Sequence, residues 1–341
     1  MKLGLIHHQN QQKDQIRDLI HQRTDYDVIW GTNYGFHALE LCDSQQPDLI
    51  LLDVNVMEYD GIQFVSDLIS QLKCPILLVT DNMEKSSYWV FEAMSHGALD
   101  VAEFKKGNEA TLIRKIQQMA LVVNDQASAM SSRKQSNNPE KELEPNQLII
   151  FGASTGGPLA LASILSSFPS DLKASVVIIQ HIDEKFSNGF ANWLKQRTLL
   201  PVQIVQKEIR PMPGNIYISD SKWHLVMTPS KTLNYSSRAC ANVYKPSVDV
   251  FFESVAKNWE SPCTAILLTG MGSDGAQGLK QLREKGWKTI AEAESSCVVF
   301  GMPKAAIELK AASEVLDLHE IPFAVLSHLR LNYQRNHHDA H

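Results

Sequence analysis

The sequence lacks the features that mark disulfide-rich, zinc-cluster or nucleic-acid-binding proteins. It has only five cysteines in 341 residues, an odd number with no Cys-x-x-Cys pair, so neither a disulfide framework nor a cysteine-built zinc site is indicated. It also lacks an excess of positive charge, because 32 Lys and Arg face 38 Asp and Glu and give a formal net charge of −6. Binding to nucleic acid or to anionic lipid rests on Lys and Arg, so neither is an expected partner.

Long hydrophobic runs are absent as well. The N-terminus has one short apolar segment before His7 and His8, which is too short for the hydrophobic region of a signal peptide, and no later segment is long enough to span a bilayer. We therefore expect a cytoplasmic protein that is not inserted in a membrane. A chain of 341 residues is long enough for about two domains, each with its own core.

Residues 1–122 alternate short apolar runs with amphipathic stretches, which predicts a five-stranded, doubly wound α/β domain. In such a domain the ligands lie at the carboxyl ends of the parallel strands, and Asp53 ends the third one. The predicted strands are KLGLIH, DVIW, DLILLD, PILLVT and ALDVAEF.

Residues 123–146 are rich in Ser, Asn, Gln, Glu and Lys, which predicts a linker. Residues 147–332 again alternate buried-strand patterns with helical ones, so we expect a second α/β domain with a parallel sheet. Residues 333–341 have no packing pattern and are interpreted as a flexible tail, with metal binding by its histidines as the alternative.

A Gly-x-Ser-x-Gly motif spans Gly152 to Gly156, directly after the first strand pattern of the second domain. In this motif the serine, here Ser154, stands on a sharp strand-to-helix turn and can act as a nucleophile. An N-cap serine and a dinucleotide-binding turn are the alternatives. Against the second, none of the eight tyrosines is followed four residues later by the lysine of a short-chain dehydrogenase.

A nucleophilic serine needs a base and a group that orients the base. His181 follows the apolar strand VVIIQ, and Asp274 follows the strand TAILLTG, so both are expected near the Ser154 turn. The alternatives are an ordinary strand-end histidine and an aspartate that caps the helix AQGLKQLREKG. The order Ser, His, Asp differs from that of α/β-hydrolases, in which the histidine comes last.

Five segments of the second domain resemble the catalytic domain of the bacterial protein-glutamate methylesterases, the CheB family. They are GASTGGP, IIQH, KPSVDVFF, LLTGMGSDGAQGL and VVFGMPKAAI. The resemblance implies Ser154 as nucleophile, His181 as general base, Asp274 as orienting carboxylate and the Met271 backbone N–H as an oxyanion donor. Thr155 and Gly156 are expected to shape the turn and to support the oxyanion.

The same resemblance implies hydrolysis of glutamyl methyl esters on the cytoplasmic domain of a methyl-accepting chemoreceptor, without cofactor or metal. Members of the family also deamidate particular receptor glutamines. A non-enzymatic adaptor that binds a receptor or a chemosensory histidine kinase is the alternative function.

The first domain resembles a response-regulator receiver in which Asp53 is the phosphorylated residue and Thr80 the hydroxyl that senses the phosphoryl group. The acidic pair that binds Mg²⁺ in receivers is replaced by His7 and His8, and the lysine after the fifth strand by Phe104. Mg²⁺ prefers oxygen ligands, so phosphorylation is expected to be impaired.

We therefore expect this domain to act as a docking element or as a constitutive regulatory lid over the esterase site. The two histidines are interpreted as a solvated surface pair, with transition-metal binding as the alternative. Degenerate receivers of this kind are similar to those of methylesterases in chemosensory systems that control type IV pili, so that branch is a predicted pathway, with flagellar chemotaxis as the alternative.

Overall fold

The computed structural model divides into two compact units, residues 1–129 and 130–341. The described residues are 1–57, 74–105, 109–125, 147–236 and 244–338, together with Val65, Leu68 and Gly107. Most of the predicted linker, residues 126–146, lies outside them.

The first unit contains a parallel sheet with the strand order β2-β1-β3-β4-β5. Its strands are β1 (Lys2–Ile6), β2 (Asp27–Thr32), β3 (Leu49–Asp53), β4 (Ile76–Thr80) and β5 (Asp100–Glu103). All five coincide with the apolar runs, and β3 and β4 are buried at every position, as strands covered on both faces must be. The predicted doubly wound fold is confirmed for this unit.

The helices described in the first unit follow the amphipathic stretches between the strands. They are α1 (Asn10–Arg23), α2 (Gly35–Ser44), α3 (Met83–Ser95) and α4 (Glu109–Asp125). Helix α3 begins at a side-chain cap, because Asn82 accepts a hydrogen bond from the Lys85 backbone N–H at 3.2 Å.

The second unit contains a larger parallel sheet with the order β14-β13-β12-β6-β7-β9-β8. Its strands are β6 (Gln147–Ala153), β7 (Ala174–Gln180), β8 (Val202–Ile204), β9 (Ile216–Ile218), β12 (Cys263–Leu267), β13 (Lys288–Glu292) and β14 (Glu314–Leu316). The predicted parallel α/β fold is confirmed here too. The antiparallel pair β10 (His224–Met227) and β11 (Leu233–Ser236) was not predicted.

Helices cover the sheet and bury the apolar faces of the second unit. They are α5 (Gly157–Ser166), α6 (Ser187–Lys195), α7 (Val248–Asn258), α8 (Ala276–Glu284), α9 (Met302–Glu308) and α10 (Ile321–His338). Helix α10 includes residues 333–338 of the predicted flexible tail, while residues 339–341 lie outside the described ones. Among the described residues, every helix is too short or too polar to cross a membrane.

The position of β6 decides where the chemistry can occur. It lies between β12 and β7 in the sheet, and all three strands run in the same direction. Their carboxyl ends therefore meet at one edge, and the residues that follow them become neighbours although they are far apart in sequence.

Candidate active site

The turn that carries Ser154 is fixed by backbone hydrogen bonds on both sides. The Ser154 N–H donates to the Thr269 carbonyl at 3.1 Å, and the Gly157 N–H donates to the Ser154 carbonyl at 2.8 Å. Gly156 has φ +79°, and an added Cβ would lie 2.6 Å from Val298 Cβ, so only glycine fits there. The chain thus enters α5 through the sharp turn that the motif predicts.

The Ser154 hydroxyl itself is not used by the fold. Its Oγ makes no hydrogen bond to any described residue, and the side chain is partly exposed at the end of β6. Gln180 Nε2 instead holds the backbone, since it donates to the Ser154 carbonyl at 2.8 Å and to the His181 carbonyl at 3.1 Å. One amide therefore ties the serine turn to the histidine turn.

His181 and Asp274 are brought together across the sheet. His181 Nε2 donates to Asp274 Oδ2 at 2.8 Å, with both side chains largely buried. The Tyr244 ring stacks on the imidazole, with 5.0 Å between centroids and 5° between planes. Since Nε2 is engaged by the carboxylate, Nδ1 is the nitrogen left to exchange a proton.

The Asp274 carboxylate lies at the N-terminus of α7. Its Oδ1 accepts from Ser247 Oγ at 2.8 Å and from the Asp249 N–H at 3.1 Å, and its Oδ2 accepts from the Val248 N–H at 2.7 Å. Burial alone would raise the pKa of this carboxyl, but the hydrogen bonds from His181 and from the helix N–H groups hold that pKa below its ordinary value. The group is an anion at neutral pH.

The alternative role of Asp274, as a cap of the helix that follows it, is wrong. The residue at the N-cap of α8 is Gly275, with φ +93° and no capping side chain. The reason is geometric: the left-handed turn at Gly275 separates Asp274 from α8, and the carboxylate points to the N–H groups of α7 instead.

Two side chains that support the histidine–aspartate pair were missed in the sequence. Ser247 is the N-cap of α7 and accepts from the Val250 N–H at 3.3 Å while its hydroxyl donates to Asp274. A serine before an amphipathic run is a readable helix start, so a signal existed for it. The Tyr244 ring stack joins two residues that are distant in the sequence and had no signal there.

Two backbone N–H groups, one in the Ser154 turn and one in the loop after β12, are the candidates for binding an oxyanion. The N–H groups of Met271 and Gly156 donate to no described residue. The loop that carries Met271 is anchored next to them, because Thr269 Oγ1 donates to the Thr155 carbonyl at 3.0 Å. The Thr155 carbonyl thus links the serine turn to this loop.

A buried carboxylate that the sequence analysis overlooked holds this loop. Glu292 ends β13 and is fully buried, and its Oε2 accepts from the Thr269 N–H at 2.8 Å. Burial raises the pKa of this carboxyl, while the hydrogen bonds from Thr269 and Ser296 oppose that rise. Glu292 thus acts on Ser154 indirectly, because it holds Thr269, whose carbonyl accepts the hydrogen bond from the Ser154 N–H.

Replacing Gly270 with alanine is expected to disturb the serine. An added Cβ would lie 2.7 Å from Ser154 Cβ and 2.4 Å from Met302 Sδ, so the turn or the core must shift. We expect a loss of about 1–3 kcal/mol in the free energy of unfolding. A displacement of the nucleophile should also lower kcat by about 100-fold.

Denaturant unfolding and ester hydrolysis would check this expectation, with Gly286→Ala as the control. Gly286 has a positive φ, +80°, which Gly270 does not, and an added Cβ at Gly286 meets nothing within 4 Å, so this variant carries backbone strain without crowding the serine. Equal kcat values for the two variants would show that Gly270 does not set the position of Ser154.

The residues singled out in the first unit also lie together. Asp53 ends β3 with 1% of its surface exposed, and His7 and His8 follow the adjacent strand β1. Thr80 is buried, and its Oγ1 is 2.8 Å from Ser86 Oγ. Phe104 is buried after β5, and Lys105 Nζ pairs with Glu103 Oε1 at 2.8 Å.

Comparison with known proteins gives the same two parts. Residues 149–325 match the CheB methylesterase family and residues 5–117 match the response regulator receiver domain. A protein-glutamate methylesterase/protein-glutamine glutaminase of Mesorhizobium japonicum is 38% identical over 330 residues, which cover 94% of this chain and 96% of that protein. Another, numbered 3, from Pseudomonas aeruginosa is 36% identical, covering 94% of this chain and 97% of that one.

Among solved structures, the CheB methylesterase catalytic domain of Thermotoga maritima is similar over 54% of this chain and 99% of its own length, with 31% identity and a TM-score of 0.51. The family resemblance read from the five segments is therefore confirmed. The chain belongs to the CheB methylesterase family and carries a response regulator receiver domain before the catalytic one.

Proposed function

We propose that this protein hydrolyses the methyl esters of glutamyl side chains on a chemoreceptor and deamidates receptor glutamines, with Ser154 as nucleophile. The observation that carries the proposal is the hydrogen bond between His181 and Asp274 at the strand end next to the free Ser154 hydroxyl. The names of the relatives, protein-glutamate methylesterase/protein-glutamine glutaminase, support the choice of substrate.

In the first half of the proposed reaction, Ser154 Oγ attacks the ester carbonyl while His181 Nδ1 takes its proton. The new C–O bond pushes electrons onto the carbonyl oxygen, and the N–H groups of Met271 and Gly156 receive this oxyanion. The tetrahedral centre then expels methanol, which leaves with the proton from His181. An acyl-enzyme on Ser154 remains.

In the second half of the reaction, water takes the role of the nucleophile and releases the acyl group from Ser154. His181 removes a proton from water, the hydroxide adds to the acyl carbon, and the Ser154 oxygen leaves with that proton. The product is the glutamate carboxylate. With a glutamine substrate the same sequence releases ammonia in place of methanol, so one site supports both reactions.

Asp274 contributes through its fixed charge. An anion beside Nε2 favours the tautomer in which Nδ1 carries the lone pair, and it stabilises the imidazolium that forms when the Ser154 proton moves. The helix N–H groups and Ser247 keep that anion in place, as described above. The low pKa of the carboxyl means that this charge persists throughout the neutral range.

The partner in this proposal is the cytoplasmic part of a methyl-accepting receptor, and the protein is therefore cytoplasmic. A chemosensory histidine kinase as second partner, the type IV pili branch and the regulatory lid stay predictions.

The test is release of methanol from methylated receptor membranes by catalytic amounts of the full chain. We expect many methanol molecules per protein molecule, and ammonia when the receptor carries the corresponding glutamines. Receptor binding without methanol release would instead favour the non-enzymatic adaptor, because an adaptor needs only a docking surface.

A further inference from the structure

Three metal-ligating side chains converge in the first unit, outside the active site. His7, His8 and Asp53 each offer a donor atom, and these atoms all lie within 4.8 Å of one another. His7 Nδ1 is 3.5 Å from Asp53 Oδ2, and His8 Nδ1 contacts the same oxygen. The cluster forms because β1 and β3 are adjacent and parallel, which brings their carboxyl ends together.

The interpretation of the histidines as a solvated surface pair is wrong for His7. His7 is 3% exposed and Asp53 is 1% exposed, whereas the His8 side chain is 24% exposed. The position after β1 explains why His7 is more buried than His8. His7 directly continues the strand and so remains buried with the sheet, whereas His8 is one residue further along. His8 is therefore the member of this cluster that reaches solvent.

A buried carboxylate needs a compensating positive charge. Lys105, which follows the fifth strand, pairs with Glu103 instead, and Phe104 is apolar. In the described parts of the chain, Asp53 pairs with no lysine or arginine. Among the described residues, the two histidines are the groups placed to supply this charge, either by protonation or by holding an ion.

The ligands are oriented by neighbouring amides. The Asn55 backbone N–H and its Nδ2 donate to Asp53 Oδ1 at 3.0 and 3.1 Å, so Oδ2 is the oxygen that faces the histidines. Asn33 Nδ2 donates to the carbonyls of His7 and His8 at 3.0 and 3.3 Å and fixes their backbone. Such outer contacts are typical of sites that hold a metal.

His7 has the protonation state that a metal needs. The Gln9 backbone N–H donates to His7 Nδ1 at 3.1 Å, so this nitrogen carries a lone pair. An ion at Nδ1 would replace this one neutral hydrogen bond, which contributes far less than a divalent metal gains from its ligands.

We propose that His7, His8 and Asp53 bind a divalent transition metal ion such as Zn²⁺, in place of Mg²⁺. Two imidazoles and one carboxylate suit Zn²⁺ or Co²⁺, whereas Mg²⁺ prefers oxygen ligands. Ligand atoms about 2.1 Å from a tetrahedral zinc lie about 3.4 Å apart, close to the distance between His7 Nδ1 and Asp53 Oδ2. Water completes the fourth position on the exposed side of His8.

The proposed ion has a consequence for the receiver domain. It takes Asp53 Oδ2, and Oδ1 already accepts both hydrogen bonds from Asn55. A carboxylate held on both oxygens is a poor acceptor for a phosphoryl group. We therefore expect bound metal to oppose phosphorylation of Asp53.

The test uses Co²⁺ as a spectroscopic probe and the full chain with His337, His338 and His341 changed to alanine, so that the tail binds no metal. We expect one equivalent of Co²⁺ to give the intense visible bands of a tetrahedral site. Zn²⁺ should displace it and excess Mg²⁺ should not. In the same background, His8→Asn should weaken Zn²⁺ binding by at least about 100-fold in a chelator competition.

His21→Asn is the matched control, since His21 is exposed on α1 and away from the cluster. It should leave the Co²⁺ bands and the Zn²⁺ affinity unchanged. Thermal unfolding of each variant without metal shows that the fold is kept. The proposal is overturned if the protein with only the tail histidines changed gives no tetrahedral Co²⁺ bands, or if His8→Asn keeps these bands. It is also overturned if Mg²⁺ is as effective as Zn²⁺ in displacing Co²⁺.

Discussion

Changing Ser154 to alanine is expected to lower kcat for ester hydrolysis by about 10⁴- to 10⁶-fold, because no other group can form the acyl-enzyme. The thermal midpoint should stay within experimental error of the parent. The structural reason is that Oγ makes no hydrogen bond to any described residue, so the fold loses no partner with it. Methanol release and differential scanning calorimetry on the same preparations would measure both effects.

Ser166→Ala is the matched control, because Ser166 is an exposed serine at the end of α5, and its hydroxyl bonds only the Ser163 carbonyl at 2.9 Å. It should keep full activity. If Ser154→Ala retained more than about one per cent of kcat, far above what a lost nucleophile leaves, a different residue would have to start the reaction.

The sheet and the edge that carries the site could be predicted from the sequence because both rest on strong local patterns. Strands β3, β4, β6 and β7 are buried at every position, so their apolar runs are continuous. Ser154, His181 and Asp274 each follow such a run, and parallel strands bring their carboxyl ends to one edge. Their neighbourhood therefore follows from topology.

What could not be predicted depends on contacts between distant segments. Asp274 could have capped the helix after it, and only the left-handed turn at Gly275 directs it to α7. Glu292 reads as the last residue of an ordinary strand, and its role follows from the packing of β13 against the Thr269 loop. Neither contact has a local signature.

In the first unit, too, the sequence pattern predicted part of the site, and the remaining part depends on packing. The sequence revealed that His7 and His8 stand where receivers carry an acidic pair, because that substitution is visible in a strand-end motif. It did not reveal that His7 is buried against Asp53. Burial of a short polar segment depends on the neighbouring loops, here on Asn33 and Asn55.

The Asp274→Asn variant is expected to lower kcat by about 10⁴-fold, because an amide cannot fix the reactive tautomer of His181 or stabilise its imidazolium. It should also reduce the free energy of unfolding by about 1–3 kcal/mol. The carboxylate accepts four hydrogen bonds, and an amide nitrogen at either oxygen position would face donors from His181 or from α7.

The stability loss should depend on pH in a defined direction. The pKa of Asp274 is lowered in the folded state, so its ionisation stabilises the fold above the ordinary carboxyl pKa and stops doing so as the pH falls through the lowered value. The difference between parent and variant in urea unfolding should therefore be constant near neutral pH and shrink only below about pH 4.

Asp249→Asn separates the catalytic effect from the structural one. Asp249 lies on the same helix end and accepts from the Gly278 N–H at 2.7 Å, and burial raises the pKa of its carboxyl to about 6. Its side chain does not contact His181, so kcat should change by less than about threefold, as for a side chain outside the reacting groups. If both variants lost activity in proportion to stability, Asp274 would serve the fold alone. If only Asp274→Asn lost kcat, the result would show that the negative charge of Asp274 acts on His181 in catalysis.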